Sequence, residues 1–209
     1  MPTADPRRHS PAADRNGAPI LAELQRLLPA QGLMLEIASG TGQHAAHFSA
    51  GLPGWQWQAT DFNAAALPSI RAWCAGLPRV LPPLPLDVLS QPWPAELPRP
   101  VDAMFCANMI HIAPWACTAA LMQGAARHLS PHGLLVTYGP YLEEGVVTSP
   151  GNTAFDADLR SRDPAWGLRG LAAVADEALG AGLQLRERVA MPANNLLLVW
   201  TWAADAATA

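Results

Sequence analysis

Hydrophobic positions along the chain switch repeatedly between helical and strand spacing, and that alternation is the mark of an α/β protein. Ile20, Leu21, Leu24, Leu27 and Leu28 recur at helical intervals, which predicts an amphipathic helix from about Gly17. The apolar run Leu33–Leu35 ends in Glu36, passes through a Gly-rich turn and continues from Gln43 as a helix-compatible segment. Trp55–Thr60 alternates W-Q-W-Q-A-T and reads as a second strand ending at Asp61. Asn63 is placed to cap a helix running to about Gly76, with Pro68 in its first turns. A third apolar segment, Leu84–Val88, lies in the Pro-rich passage 78–100, which is read as a stiff connection.

Val101–Asn108 is almost continuously apolar, as a central parallel strand buried on both faces must be. Pro114 opens a helix through Leu129 that Ser130-Pro131-His132-Gly133 is expected to stop, and Leu134–Tyr138 supplies a fifth strand. A long insertion, Leu142–Gly167, precedes a helix over Leu168–Ala181. Two strands, Leu183–Met191 and Asn195–Trp202, then close the chain through a short P-A-N link.

The turn after the first strand carries the chemistry. Gly40-Thr41-Gly42-Gln43-His44-Ala45 fits G-x-G-x-x-G/A, with Asp61 about twenty residues beyond the turn, a pattern shared by sites for dinucleotides and for S-adenosylmethionine (SAM). Glu36 separates the two. Its carboxylate closes the strand beneath the turn, where the pyrophosphate of a dinucleotide would meet like charge, whereas the ammonium of SAM meets opposite charge. Asp61, at the carboxyl end of the second strand, is suited to accept from ribose hydroxyls, and Asp87, after the third, from an adenine amino group. Three acids after three successive strands match the three polar parts of SAM.

On these residues, and on Ser10-Pro11-Ala12-Ala13-Asp14-Arg15-Asn16, the F-C-A-N-M-I-H-I stretch, T-S-P-G-N-T-A-F-D-A-D-L-R-S-R-D-P-A-W-G and M-P-A-N-N-L, the sequence resembles the class I SAM-dependent methyltransferases. Within them it is similar to the methyltransferase-like family of unknown function numbered 938. The resemblance covers nearly the whole chain. It implies a Rossmann-like, doubly wound seven-stranded sheet with a C-terminal antiparallel hairpin, a SAM site and no particular substrate. Ala38 stands where the wider class has the first Gly of its motif, and ligand contact is expected to survive if φ there stays negative.

The cofactor set expected is Glu36, Ala38, Ser39, Gly40, Thr41, Gly42 and His44 around the turn. Asp61 and Phe62 follow the second strand, Asp87 and Val88 the third, and Asn108 and Met109 the fourth. Reacting groups should follow the fourth and fifth strands, where His111 is the first choice for a general base and Tyr141 the second catalytic candidate. Substrate contacts are assigned to Arg15, Asn16, Tyr138, Asn152, Phe155, Asp156, Arg160 and Trp166. Asp156 and Arg160, four apart, suit either a surface pair or a clamp in which Arg160 takes a substrate anion.

The remaining bulk features narrow the partners. All 13 basic residues are Arg, the formal charge is −4 and no basic run occurs, which disfavours nucleic acid and leaves a small-molecule methyl acceptor. Cys74, Cys106 and Cys117 lack metal or disulfide spacing, and His44 and His47 lack acid or thiol partners, so catalysis without a metal in a reducing cytoplasm is expected. No stretch has the length of a membrane span. The organisation expected is one domain over 1–209, a frayed 1–9 tail and a substrate lid over 142–167, in a monomer or homodimer. A non-catalytic SAM sensor or scaffold and an NAD-dependent oxidoreductase are the rival readings.

Overall fold

Ser10 and Pro11 start the first helix, α1 (Pro11–Leu27): Ser10 is extended, Pro11 occupies the first helical turn where its missing N–H costs nothing, and the Ser10 hydroxyl accepts from Ala13 N at 3.4 Å. The helix therefore begins ahead of Gly17, and Arg15 and Asn16 stand inside it rather than before it. The computed structural model describes residues 5–94 and 96–203. Its helices and strands continue as β1 (Gly32–Ile37), α2 (Gln43–Gly51), β2 (Trp55–Asp61), α3 (Leu67–Trp73), β3 (Val80–Pro85) and β4 (Val101–Ala107). Then come α4 (Ala116–His128), β5 (Leu129–Gly139), β6 (Tyr141–Leu142), α5 (Pro150–Arg162), β7 (Arg169–Gly170), α6 (Leu171–Gly180), β8 (Leu183–Met191) and β9 (Asn195–Trp202).

The main sheet has seven strands in the order β3-β2-β1-β4-β5-β9-β8, with β6 and β7 paired separately. This is the seven-stranded α/β architecture expected, including the antiparallel closing pair β8–β9. The chain divides into two compact units, Met1–Phe105 and Cys106–Ala209.

In the first unit β1, β2 and β3 run parallel, and α1 packs on α2. The core is aromatic: Phe48 lies 5.9 Å from Trp57 and edge-on to Phe105 at 5.3 Å, with Met34, Leu35 and Ile70 sealed around them. Third-strand pairing starts earlier than Leu84–Val88 because Pro82 and Pro83 belong to β3 itself. β3 is an edge strand, so a proline lacking N–H is tolerated there. Asn63 caps a single 3-10 turn, Ala64–Ala66, that leads into α3. The described part of the tail expected to fray is tied to this helix. Arg8 N donates to Ser69 Oγ at 2.8 Å, and Trp73 Nε1 donates to Arg8 O at 2.8 Å; residues 1–4 lie outside the described residues.

In the second unit β5 pairs antiparallel with β9, and β9 with β8, around Leu135, Val136, Leu197 and Trp200. α4 ends at His128, within a residue of the stop expected before Ser130–Gly133, and those four residues continue as strand. β5 starts at Leu129 directly after α4 and runs through Pro131, while its pairing with β9 covers only Leu134–Gly139, so Pro131 interrupts no bond of that ladder. The 142–167 insertion contains α5, capped by Ser149, whose hydroxyl accepts from Asn152 N at 3.3 Å.

The turn between β1 and α2 holds four backbone features in five residues. Ala38 has φ +57°, Gly40 +59° and Gly42 +91°, and Ser39 N donates to Thr60 O at 2.8 Å. The condition set for ligand contact at Ala38, a negative φ, is thus not met: the residue is left-handed, a region where a Cβ is strained by about 1–2 kcal/mol. Gly42 admits no side chain, since a Cβ would stand 2.6 Å from Ile70 Cα. Replacing Ala38 by Gly is expected to raise unfolding stability by about 1 kcal/mol once the added chain entropy is deducted. Urea denaturation checks it, and an unchanged or lowered midpoint would contradict the strain.

Candidate functional site

The first unit places its acids at the carboxyl ends of its strands. Glu36, the penultimate residue of β1, is 2 % exposed, and Trp57 Nε1 from β2 donates to its Oε2 at 2.7 Å. Burial pushes this carboxyl up to about 7, against the hydrogen bonds of Trp57 and Ser39, with the neighbouring Asp61 charge adding to the rise. Asp61 ends β2, as expected. Its Oδ2 accepts from Gly40 N at 2.8 Å and its Oδ1 from Asn63 N at 2.9 Å, which pins the turn to the strand and leaves further lone pairs on each oxygen. Phe62, directly after it, is 73 % exposed, an uncommon state for a phenyl ring beside a buried acid. Asp87 lies past the end of β3 on the surface, its Oδ1 accepting from Leu89 N at 2.9 Å, and Val88 beside it is buried.

His44 sits in the first turn of α2, stacked on Phe48 at 4.9 Å, with Nε2 2.7 Å from Asn16 Oδ1. Burial first, then the nearby His47, pushes its pKa down to about 4, so it is a neutral imidazole in cells. Asn16 is buried, whereas Arg15 on the same helix is exposed. Sequence reasoning missed the connection that Gln43 makes. Its amide accepts from Ser10 N, donates to Asp14 Oδ1 at 2.7 Å and lies 3.0 Å from the Thr41 hydroxyl, so the start of α1 is stitched to the Gly turn. Ser69 Oγ, donating to Thr41 O at 2.7 Å, ties the turn from the other side. The available signal was a glutamine directly after G-x-G, where a surface residue would have served the helix equally well.

In the second unit, Asn108 has φ +60° and donates its N–H to Tyr138 O at 2.8 Å, opening a 3-10 turn, Met109–His111. Met109 and Tyr138 are buried. His111 is fully buried, and neither ring nitrogen has a hydrogen-bond partner. Its Nε2 lies over Gly139, where a Cβ would come within 2.4 Å, and the ring meets Tyr141 edge-on at 4.9 Å. Burial, then repulsion from Arg169, pushes its pKa down to about 3. It is a neutral imidazole at physiological pH, with the Gly167 backbone and the Asp156 charge opposing the fall.

The Tyr141 hydroxyl is spoken for: it donates to Thr137 Oγ1 at 2.9 Å in the core, and burial raises its pKa. Asp156 and Arg160 form the i,i+4 pair at 2.9 Å, and Asp156 Oδ1 also accepts from Leu168 N at 2.7 Å, so Arg160 is held as a partner rather than presented alone. Asn152 Nδ2 donates to Asn194 O at 2.9 Å, and Arg162 covers the Trp166 ring at 5.1 Å, with Phe155 half-buried on the same helix. A second residue that sequence reasoning missed is Arg169. Its guanidinium donates to the carbonyls of Ile110, Ala113 and Ala165 at 2.9, 2.7 and 2.7 Å and fixes the loop that carries His111.

Comparison with known proteins bears on this geometry. A family described as a protein of unknown function, DUF938, matches residues 7–202. The chain belongs to the DUF938 family. As a DUF938 protein it shares its fold with methyltransferases of known structure. These include the SAH-bound CalO1, a methyltransferase of calicheamicin biosynthesis (20% identity, TM-score 0.70, 92% of this chain and 57% of that one), and the same fold is found in TnmH (20%, 0.75, 92% and 55%). Human N-acetylserotonin methyltransferase in complex with SAM aligns at 15% identity and TM-score 0.75 over 92% of this chain and 53% of that one. The DUF938 chain thus spans a little over half the length of these structures, and at such identities the shared property is the fold.

The buried Glu36 sets a pH dependence. A carboxyl whose folded pKa lies above its unfolded value gives full stability below about pH 4.5 and loses it as pH rises through about 7, at a cost on the order of 3 kcal/mol. Glu36→Gln keeps an acceptor for Trp57 and is therefore expected to be more stable than the wild type at about pH 8 and equal to it at about pH 4. Urea unfolding at both pH values checks this, and a variant less stable at the higher pH would contradict it.

Proposed function

We propose that this chain is a SAM-dependent methyltransferase acting on a small molecule. The observation that carries the reading is the buried Glu36 carboxylate under a Gly turn that Asp61 pins open, in a methyltransferase fold. A buried acid without a cation is unfavourable, and an ammonium group placed against it restores the charge balance. A pyrophosphate would worsen it, which argues against a dinucleotide. SAM-bound and SAH-bound proteins among the structural relatives support the same cofactor.

In this reading Glu36 holds the ammonium, Asp61 accepts from the ribose hydroxyls, Asp87 from the adenine amino group, and the exposed Phe62 ring covers the base. SAM supplies a methyl group on a positively charged sulfur, so that attack by an acceptor lone pair forms the new bond to carbon while the C–S bond breaks to a neutral thioether. The protein's contribution is alignment, together with removal of the acceptor's proton where it has one. His111 is assigned that proton on its place after β4 and its unpaired ring nitrogens; with its pKa pushed down to about 3 it is a weak base until a bound acceptor changes its surroundings. Its full burial equally suits the rival reading of a SAM sensor without turnover, and methyl transfer by the purified wild-type protein separates the two.

Titration calorimetry with SAM, S-adenosylhomocysteine (SAH) and NAD is expected to show binding of the first two alone. Asp61→Asn should weaken SAH by about tenfold or more, through loss of charge-assisted hydrogen bonds. Tighter binding of NAD than of SAH would overturn the proposal. His111→Ala should leave SAH affinity intact and lower turnover on an acceptor by on the order of 10²-fold; full turnover in that variant would remove the base assignment.

A further inference from the structure

The second unit contains a pocket of about 180 Å³ whose walls belong to no role assigned so far beyond Tyr141 and Asn152. It opens where β5 ends and the β8–β9 hairpin turns: Gly139 pairs with Leu196, and Tyr141, Met191, Asn195 and Leu196 line it. The loop from Glu143 to Ser149 forms the facing wall. In open α/β sheets this carboxyl end is where ligands bind.

Three properties define what fits. The volume is slightly above the roughly 150 Å³ of an apolar cavity that takes one benzene, so one ring with small substituents is the size limit. The charged lining cancels. Arg188 Nε and Nη2 donate to the two oxygens of Glu143 at 2.6 Å each, a bidentate pair that lowers the Glu143 pKa and leaves no net charge for an ionic ligand. The rest of the wall is mixed, with Tyr141, Met191 and Leu196 offering ring-compatible apolar surface and Asn152 and Asn195 offering amide groups. At the rim, Val147 is 92 % and Val146 59 % exposed, so the loop shows water two apolar side chains that a bound ring would cover.

We propose that this pocket is the acceptor pocket of the methyltransferase reading, on which the inference rests, and that its acceptor is a neutral single-ring aromatic bearing a hydroxyl or amide. The flat guanidinium–carboxylate pair favours a planar ligand, and its satisfied charges favour a neutral one. Arg188 is then a specificity residue, held by Glu143 from pairing with acidic rings.

The test is ligand-observed NMR on the full chain with phenol, benzamide, benzoate and cyclohexanol, alongside SAH titration of the same samples. The blocking variant is Ala190→Trp, which places an indole in the pocket from a surface position on β8. Phenol and benzamide should bind, benzoate and cyclohexanol at least about fivefold more weakly, and Ala190→Trp should abolish ring binding while SAH affinity stays unchanged. SAH binding with no ring binding, or ring binding that survives Ala190→Trp, overturns the pocket assignment and leaves the methyltransferase reading standing. Preference for benzoate overturns the neutral class. Ring binding without any SAH binding removes the acceptor role and sinks the methyltransferase reading itself.

Discussion

One hydrogen bond from an indole to a carboxylate organises the first unit. Trp57 and Glu36 meet diagonally across neighbouring parallel strands, and a buried acid with so few partners is a strained element of any core. Its surroundings hold it in place. Thr60 Oγ1 donates to Glu36 O at 2.7 Å, Ser39 N reaches Thr60 O, and Asp61 grips Gly40. The left-handed Ala38 belongs to the same design, since the chain must turn sharply over the acid, and the strain at that alanine persists because these bonds over-determine the turn. Gln43 and Ser69 extend the grip to α1 and α3. On the function we propose, the cost of burying Glu36 is offset only when a cation arrives.

The second unit encloses a neutral imidazole. Asn108 bends the chain after β4, Arg169 clamps the carbonyls of the following loop, and Gly139 leaves room for the His111 ring. A histidine sealed this way without partners adds nothing to stability, since each unpaired buried nitrogen carries a desolvation penalty. The nearby Tyr141 has the opposite character. Its hydroxyl shares Thr137 Oγ1 with Trp200 Nε1, at 3.0 Å, in a closed network, so it serves as a wall and an anchor.

Much of this was legible in the amino-acid pattern. β8 and β9 have the bounds expected on either side of the P-A-N link, β4 is the near-continuous run expected of a buried strand, and Asp61 stands at the end of its strand. The errors have physical causes. Ser10-Pro11 is a helix start written in capping chemistry, whereas the apolar stripe that sets helical spacing begins only at Ile20, nine residues into α1. Prolines in β3 and β5 looked like breaks, because proline is penalised only where a ladder needs its N–H, and sequence alone does not tell which edge is free. The sign of φ at Ala38, the partner of Glu36 and the Glu143–Arg188 pair depend on tertiary contacts between residues distant in sequence, which local pattern does not encode.

On the proposed function, Glu36 is a carboxyl that a ligand's ammonium converts to a carboxylate. Proton release on SAH binding, from calorimetry in two buffers of different ionisation enthalpy, reads this directly. With its carboxyl at about 7, Glu36 is half protonated in the free protein at pH 7, so binding should release about half a proton there and none from that position in Glu36→Gln. Binding with no proton release, or with the same release from Glu36→Gln, would contradict it.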